Sequence, residues 1–153
     1  MTPKESVKNM WLAYHASLGL EAPAEPAADH FCDNEKDANE LAALVLEGVK
    51  RATAGALWSY EKAGVGLPAV GGIFVVTDWA GNAVCVVKST KVSIIPFNEI
   101  TEEHARREGE GDKSLAYWRQ AHLAFFENEF KRLGLTFSES MPIVFEEFER
   151  VFP

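Results

Sequence analysis

A chain of 153 residues, 47% of them apolar and 25% charged, can bury one hydrophobic core and is short for two ordinary domains. Its formal net charge of −8 excludes a continuous basic face wrapping long nucleic acid, and leaves open a local positive cleft for a nucleotide or a short single strand. The only cysteines, Cys32 and Cys85, are too few for a disulfide framework, and a zinc site would need another ligand such as His30, so reduced thiols in a cytoplasmic protein are expected.

The opening "MTPKESVKNMW" lacks the apolar core and small-residue cleavage site of a signal peptide. No apolar run approaches the ~20 residues of a bilayer span, so no membrane partner is expected. Val7, Met10, Trp11, Tyr14 and Leu18 recur at helical spacing and predict an amphipathic helix over 3–19, with Pro3 in its first turn. "EAPAEPAAD" reads as a Pro/Ala connector, and "HFC" as a short strand or the entry to the next helix. Asp33 and Asn34 are candidate N-caps for a helix near 34–48, with Leu41, Leu44 and Val45 on its buried face and Gly48 as its stop.

Leu57, Trp58 and Tyr60 suggest a short helical turn before a Gly/Pro loop. The period then changes. "GIFVVTD" and "AVCVVKSTKVSIIPF" are rich in β-branched residues, and "WAGN" between them reads as a hairpin turn. Thr101 caps a short helix, "EEHARRE", which "GEGDKS" breaks. "LAYWRQAHLAFFENEFKRLG" is a strong helix and "PIVFEEFERVF" a closing strand. The pattern is α+β, a small curled sheet or barrel with flanking helices.

Three constellations carry possible chemistry. In "EGVKRATAGAL", Lys50 and Arg51 follow a helix C-terminus, where cations favour the negative end of the dipole. That reading stands beside a second, in which a partly buried Lys50, its pKa depressed toward neutrality, activates the Thr53 hydroxyl. In "HARREGEGD", Glu108, Glu110 and Asp112 are either a flexible acidic loop, with Asp112 capping the next helix, or a site for Mg²⁺ or Mn²⁺. Glu108, at a helix end, is also a candidate general acid or base. Among the aromatic and basic residues, Tyr60, Trp79, Tyr117 and Trp118 can stack a base, and Lys88, Lys91, Arg106, Arg107 and Arg119 can meet phosphates. Trp118, Phe125 and Phe126 are expected in the core, and His122 reads as a core or surface histidine rather than a ligand. No dinucleotide, P-loop or nucleophile-elbow pattern is present.

"GVKRATAGALWSYEKAGVGLPAVGG", "TDWAGNAVCVVKSTKVSIIPFNEI" and "HARREGEGDKSLAYWRQAHLAFFENEF" together resemble the ASCH-domain family over most of residues 40–150. The resemblance implies a small PUA-like β-barrel flanked by helices, an association with RNA metabolism, and a cleft beside the barrel. It implies one domain over 1–153, with an N-terminal helix and connector over 1–30 and a barrel core with helical insertions over 31–153. Small members of that family deacetylate N4-acetylcytidine and carry G-x-K-x-x-T and H-A-x-x-E, matched here by Gly48, Lys50 and Thr53, then His104, Ala105 and Glu108.

By that resemblance Thr53 attacks the acetyl carbonyl, Lys50 activates Thr53, and Glu108 moves protons to the leaving amine. Arg51, Tyr60, Arg107 and Arg119 are the expected substrate-binding residues, and no resident metal or other cofactor is expected. A longer relative resembles a ribonuclease, which implies single-stranded RNA as the alternative substrate and a divalent metal as a possible cofactor. A non-catalytic RNA-binding module is the third reading. This chain is longer than the small amidohydrolases, and Arg51 stands where a small hydroxyl residue is common in them.

Overall fold

In the computed structural model, which describes residues 1–153, one five-stranded mixed sheet curls into half a barrel. The strands are β1 (Ala27–Asp29), β2 (Ala52–Ala56), β3 (Ile73–Thr77), β4 (Ala83–Pro96) and β5 (Pro142–Phe152), in the spatial order β1–β3–β4–β5–β2. β1 runs parallel to β3, and the other pairs are antiparallel. β4 and β5 are the long central strands, and two irregularities in their pairing, between Val86 and Val87 and between Ser89 and Lys91, interrupt the ladder. Bulges of this kind bend a strand and increase its twist. This is the α+β architecture expected from the β-branched centre and its helical flanks.

The helices are α1 (Pro3–Ser17), α2 (Glu35–Leu46), α3 (Leu57–Ala63), α4 (Glu102–Glu108) and α5 (Leu115–Leu133). Thr2 and Glu5 form a capping box on α1, Asn34 caps α2, and α5 ends at Gly134 in the left-handed conformation. Period-two alternation divides the sheet between two cores. One holds Ala52, Ala56, Ile143 and Phe145 with Trp118, Phe126 and Phe130 of α5. The other packs Val76, Cys85, Val87 and Phe148 against Ala42 and Val45 of α2. Trp11 and Tyr14 of α1 cover Val75 and Val86 in a third cluster. Each large side chain fully buried in this way contributes about 1.5–3 kcal/mol.

Several local expectations are corrected. β1 lies at the end of the stretch read as a connector, where three residues hydrogen-bonded to the edge of β3 carry no alternation to announce them. β2 was not visible as a strand, because "ATAGA" has only one β-branched residue and is held by pairing with β5. Leu41 and Leu44 are half-buried, and Ala38, Ala42 and Val45 form the buried face of α2. Phe125 is likewise half-buried, beside the buried Trp118 and Phe126. Ser114 rather than Asp112 caps α5; Asp112 instead accepts the backbone N–H of Ser114 at 2.9 Å. No helix is long and apolar enough to cross a membrane.

Candidate functional site

α2 ends at Leu46 with Glu47 as its C-cap, and Gly48 (φ +79°) turns the chain back toward the sheet. Lys50 then enters the interior. Its backbone N–H donates to the carbonyl of Leu44 at 3.1 Å, and its side chain is 1% exposed. The solvated basic tail is therefore excluded for Lys50. Arg51 is exposed and leads into β2, its N–H donating to the carbonyl of Arg107 at 2.9 Å. Thr53 follows on β2 opposite Glu146 of β5, half-buried and lining a cavity.

Glu108 arrives from the end of α4. Thr101 and His104 close a reciprocal cap at the start of that helix, Thr101 N–H donating to Nδ1 of His104 at 3.0 Å. Ala105 is buried and leaves α4 close to the core. Gly109 (φ +69°) ends the helix where an added Cβ would lie 2.5 Å from the carbonyl oxygen of Val49. H-A-x-x-E-G is thus a structural statement: the histidine caps, the alanine packs, and the glycine lets the chain pass against the Lys50 segment. Together they deliver Glu108 to Lys50.

The ammonium of Lys50 donates to the Ala52 carbonyl at 2.7 Å, to Oε1 of Glu110 at 2.8 Å and to Oε1 of Glu108 at 3.3 Å. All three of its protons are committed. Burial alone would lower its pKa, but the Glu110 and Glu108 carboxylates outweigh that and hold it above the ordinary lysine value. Of the two readings of Lys50, three acceptors around its nitrogen favour the buried cation over the neutral amine. Glu108, 1% exposed, accepts Lys50 on Oε1 and the indole N–H of Trp118 on Oε2, and Nε2 of His122 stands 3.4 Å from that same Oε2. Burial would raise its pKa, yet His122 and Lys50, with the hydrogen bonds from His122 and Trp118, bring it down to about 2. Glu110 is paired with Lys50 through Oε1 alone, leaving its second oxygen without a hydrogen bond.

These groups form one wall of a cavity of about 140 Å³. Thr53, Glu108, Glu110 and His122 meet there, with Phe31, Tyr117 and Phe125 supplying aromatic surface and Asp37 and Glu40 of α2 facing them. No arginine or lysine side chain lines it. His122, read from sequence as a core or surface residue, is 8% exposed and belongs to this wall. Its four-residue step from Trp118 on α5 was the available signal, since two residues so spaced lie on one helical face.

The expected binding residues are not gathered here. Arg51 and Arg107 line a separate surface groove with Thr90, Glu103, Glu147 and Glu149, and there Arg107 is already paired with Glu103 and Glu147. Tyr60 is half-buried beneath β2, its ring so close to Gly55 that a Cβ there would lie 2.9 Å from it. Arg119 is exposed and lines neither the cavity nor the groove. Trp79 is exposed against His30.

The Glu108, Glu110, Asp112 set is not assembled, because Asp112 points to Ser114. Glu108, Glu110 and His122 do bring candidate ligand atoms within 4.8 Å of one another. The Lys50 ammonium stands between the two carboxylates and offsets one of their two charges, while His122 meets the Trp118 carbonyl through Nδ1 and Glu108 through Nε2. In this arrangement the cation between the carboxylates is the Lys50 ammonium.

The family model described as the ASCH domain matches residues 27–152. The chain is 37% identical to the ASCH domain of Lactobacillus crispatus JV V101, with 97% of this chain and 96% of that one covered at a TM-score of 0.89. It is 30% identical to protein EF3133 of Enterococcus faecalis V583, with coverage of 97% and 89%, also at a TM-score of 0.89. No curated protein matches it.

Proposed function

Because the chain belongs to the ASCH-domain family, we propose that it is a hydrolase that removes an acyl group from N4-acylated cytidine, the substrate being a free nucleoside and Thr53 the nucleophile. One observation carries this reading. Thr53 opens onto the same cavity as Glu108 and Glu110, and that cavity has aromatic walls, an acidic rim and no free cation. A phosphodiester entering it would face Asp37 and Glu40, with Lys50 and His122 already engaged by Glu108 and Glu110, whereas a neutral pyrimidine meets no such repulsion.

The geometry redistributes the roles that the resemblance implies. Lys50 commits its ammonium to three acceptors, and its pKa is held above the ordinary lysine value, so it braces the two carboxylates. Glu108 at about 2 is a poor proton carrier at neutral pH. The second oxygen of Glu110, which no hydrogen bond holds, takes the role of base. In the proposed sequence the Oγ1–acyl carbon bond forms as the Thr53 proton passes to Glu110. The C–N bond then breaks as Glu110 returns that proton to the leaving nitrogen. Water next attacks the acyl-threonine, its proton passes through Glu110 to Oγ1, and the carboxylate product leaves. The charged Lys50–Glu108 frame holds these groups in register without reorganising during the reaction.

The test is incubation of purified protein with N4-acetylcytidine, with and without EDTA. Equimolar cytidine and acetate, undiminished by EDTA, are expected; an intact substrate sinks the reading. The groove with Arg51, Thr90 and Arg107 favours a second reading, in which single-stranded RNA binds outside the cavity. Cleavage of a labelled single strand, with the nucleoside left intact, would make the protein a ribonuclease. Binding without cleavage would make it an RNA-binding module.

A further inference from the structure

One titratable side chain in the cavity wall has no part in the proposed steps. His122 stacks flat on Trp118, with ring centroids 4.1 Å apart and 14° between the planes, so its ring cannot rotate freely. Nδ1 lies 2.9 Å from the backbone carbonyl of Trp118. A carbonyl only accepts, so Nδ1 carries a proton. Nε2 lies 3.4 Å from Oε2 of Glu108, a carboxylate oxygen that also only accepts. A neutral ring protonated on Nδ1 would turn its Nε2 lone pair toward that negative oxygen. The Nδ1 hydrogen bond and the Nε2–Glu108 contact, an ion pair at 3.4 Å, are both favourable only when both nitrogens are protonated.

We propose that His122 is a positioning residue of this site: its imidazolium clamps Oε2 of Glu108 while Lys50 holds Oε1, so that the cavity wall is assembled only while His122 carries both protons. The inference rests on the reading of this cavity as the reactive one. The surroundings agree with it. Glu108 of α4 and Glu110 of the following loop face the ring, Lys50 stands behind Glu108, and Asp37 and Glu40 of α2 lie across the cavity. The nearest neighbours on α5 itself are Trp118 and Phe126, which are uncharged. Burial would lower the pKa of His122, but Glu108 and then Glu110 raise it above the ordinary 6.5.

The sign follows. A group whose folded pKa is raised is fully stabilising below its unfolded value, and that contribution is lost as pH rises through the folded one. The site should therefore fail on the alkaline side, starting above about pH 6.5.

Two measurements test this, and the first needs no activity. ¹⁵N NMR of histidine-labelled protein, with His122→Gln identifying the resonances, should show both His122 ring nitrogens protonated at pH 7. In His122→Leu the Glu108 side-chain carboxyl, followed by ¹³C NMR, should titrate at higher pH than in the parent. A neutral His122 ring at pH 7, or a Glu108 titration that does not move, overturns the proposal whether or not the protein hydrolyses acylcytidine. The second is the pH dependence of kcat for N4-acetylcytidine. The parent should lose activity with rising pH along the NMR titration of His122. His122→Gln, whose amide still donates to Glu108 but does not titrate, should keep at least a tenth of kcat and lose that alkaline limb. An unchanged limb in His122→Gln overturns the proposal. Absence of turnover in the parent overturns the hydrolase reading alone and leaves the NMR result to decide the protonation of His122.

Discussion

The indole N–H of Trp118 donates to Oε2 of Glu108, a residue ten positions earlier, where neither side chain is more than 2% exposed. A core aromatic and a cavity carboxylate are thus one unit: α5 supplies packing on one edge of the indole and a charge-assisted hydrogen bond on the other. Trp118→Phe keeps most of the packing and removes the donor. It should destabilise the protein by about 1–3 kcal/mol in urea unfolding, with an unchanged m-value.

Lys50→Met tests the buried cation. The methionine fits the space but leaves Glu108 and Glu110 facing each other without an ammonium. A loss of about 3–5 kcal/mol is expected, partly recovered in the double variant Lys50→Met/Glu108→Gln. Strict additivity in that cycle would show that the two side chains do not interact.

For the reaction, Thr53→Ala should lower kcat for N4-acetylcytidine by at least about a hundredfold, while circular dichroism and Tm stay close to those of the parent. Undiminished turnover would remove Thr53 as nucleophile. Comparing Glu110→Gln with Glu108→Gln then separates base from frame. Both should lose stability, Glu108→Gln the more, and Glu110→Gln should lose turnover beyond what its loss of stability explains.

Acid should dismantle the site in a definite window. The folded pKa of Glu108, about 2, lies below the ordinary carboxylate value of 4.5 because its ionised form is paired with His122 and Lys50. Its stabilisation is complete above the unfolded value and disappears as pH falls from there toward 2. Thermal unfolding followed from pH 6 to pH 2 should show Tm falling through this range in the parent, and falling less in Glu108→Gln.

Arg51 lies outside the cavity, so Arg51→Ala should leave kcat/KM for the acylated nucleoside within about twofold. A large fall in kcat/KM would bring Arg51 back to the substrate. Weaker binding of single-stranded RNA by the same variant, read by fluorescence anisotropy, would assign the groove to that ligand.

The parts of this fold that were legible are those in which residue type and period agree. The β-branched runs of β3 and β4, the caps at Asn34 and Thr101 and the apolar face of α5 each announce themselves within a few positions. β2 did not, because its conformation is imposed by β5 from about ninety residues away in the chain. Spacing also brought Lys50, Thr53 and Glu108 into view, helped by the family pattern, but not the state of Lys50. That state depends on Glu110, which reaches the lysine only after α4 ends at Gly109 and the chain turns. The arginines misled for a simpler reason. Their charge suggests phosphate, and nothing local reveals that Arg107 is already held by Glu103 and Glu147.

The placement of Lys50 also divides the protein's ion pairs by their response to dissolved salt. Arg106 and Glu103, 64% and 46% exposed, sit in solvent, where counter-ions screen charge over about 8 Å at physiological ionic strength. Lys50 and Glu108 are each only 1% exposed, where dissolved ions screen charge far less. Raising sodium chloride should weaken the outer pairs and leave the inner one intact, so the local architecture of the cavity should persist in brine.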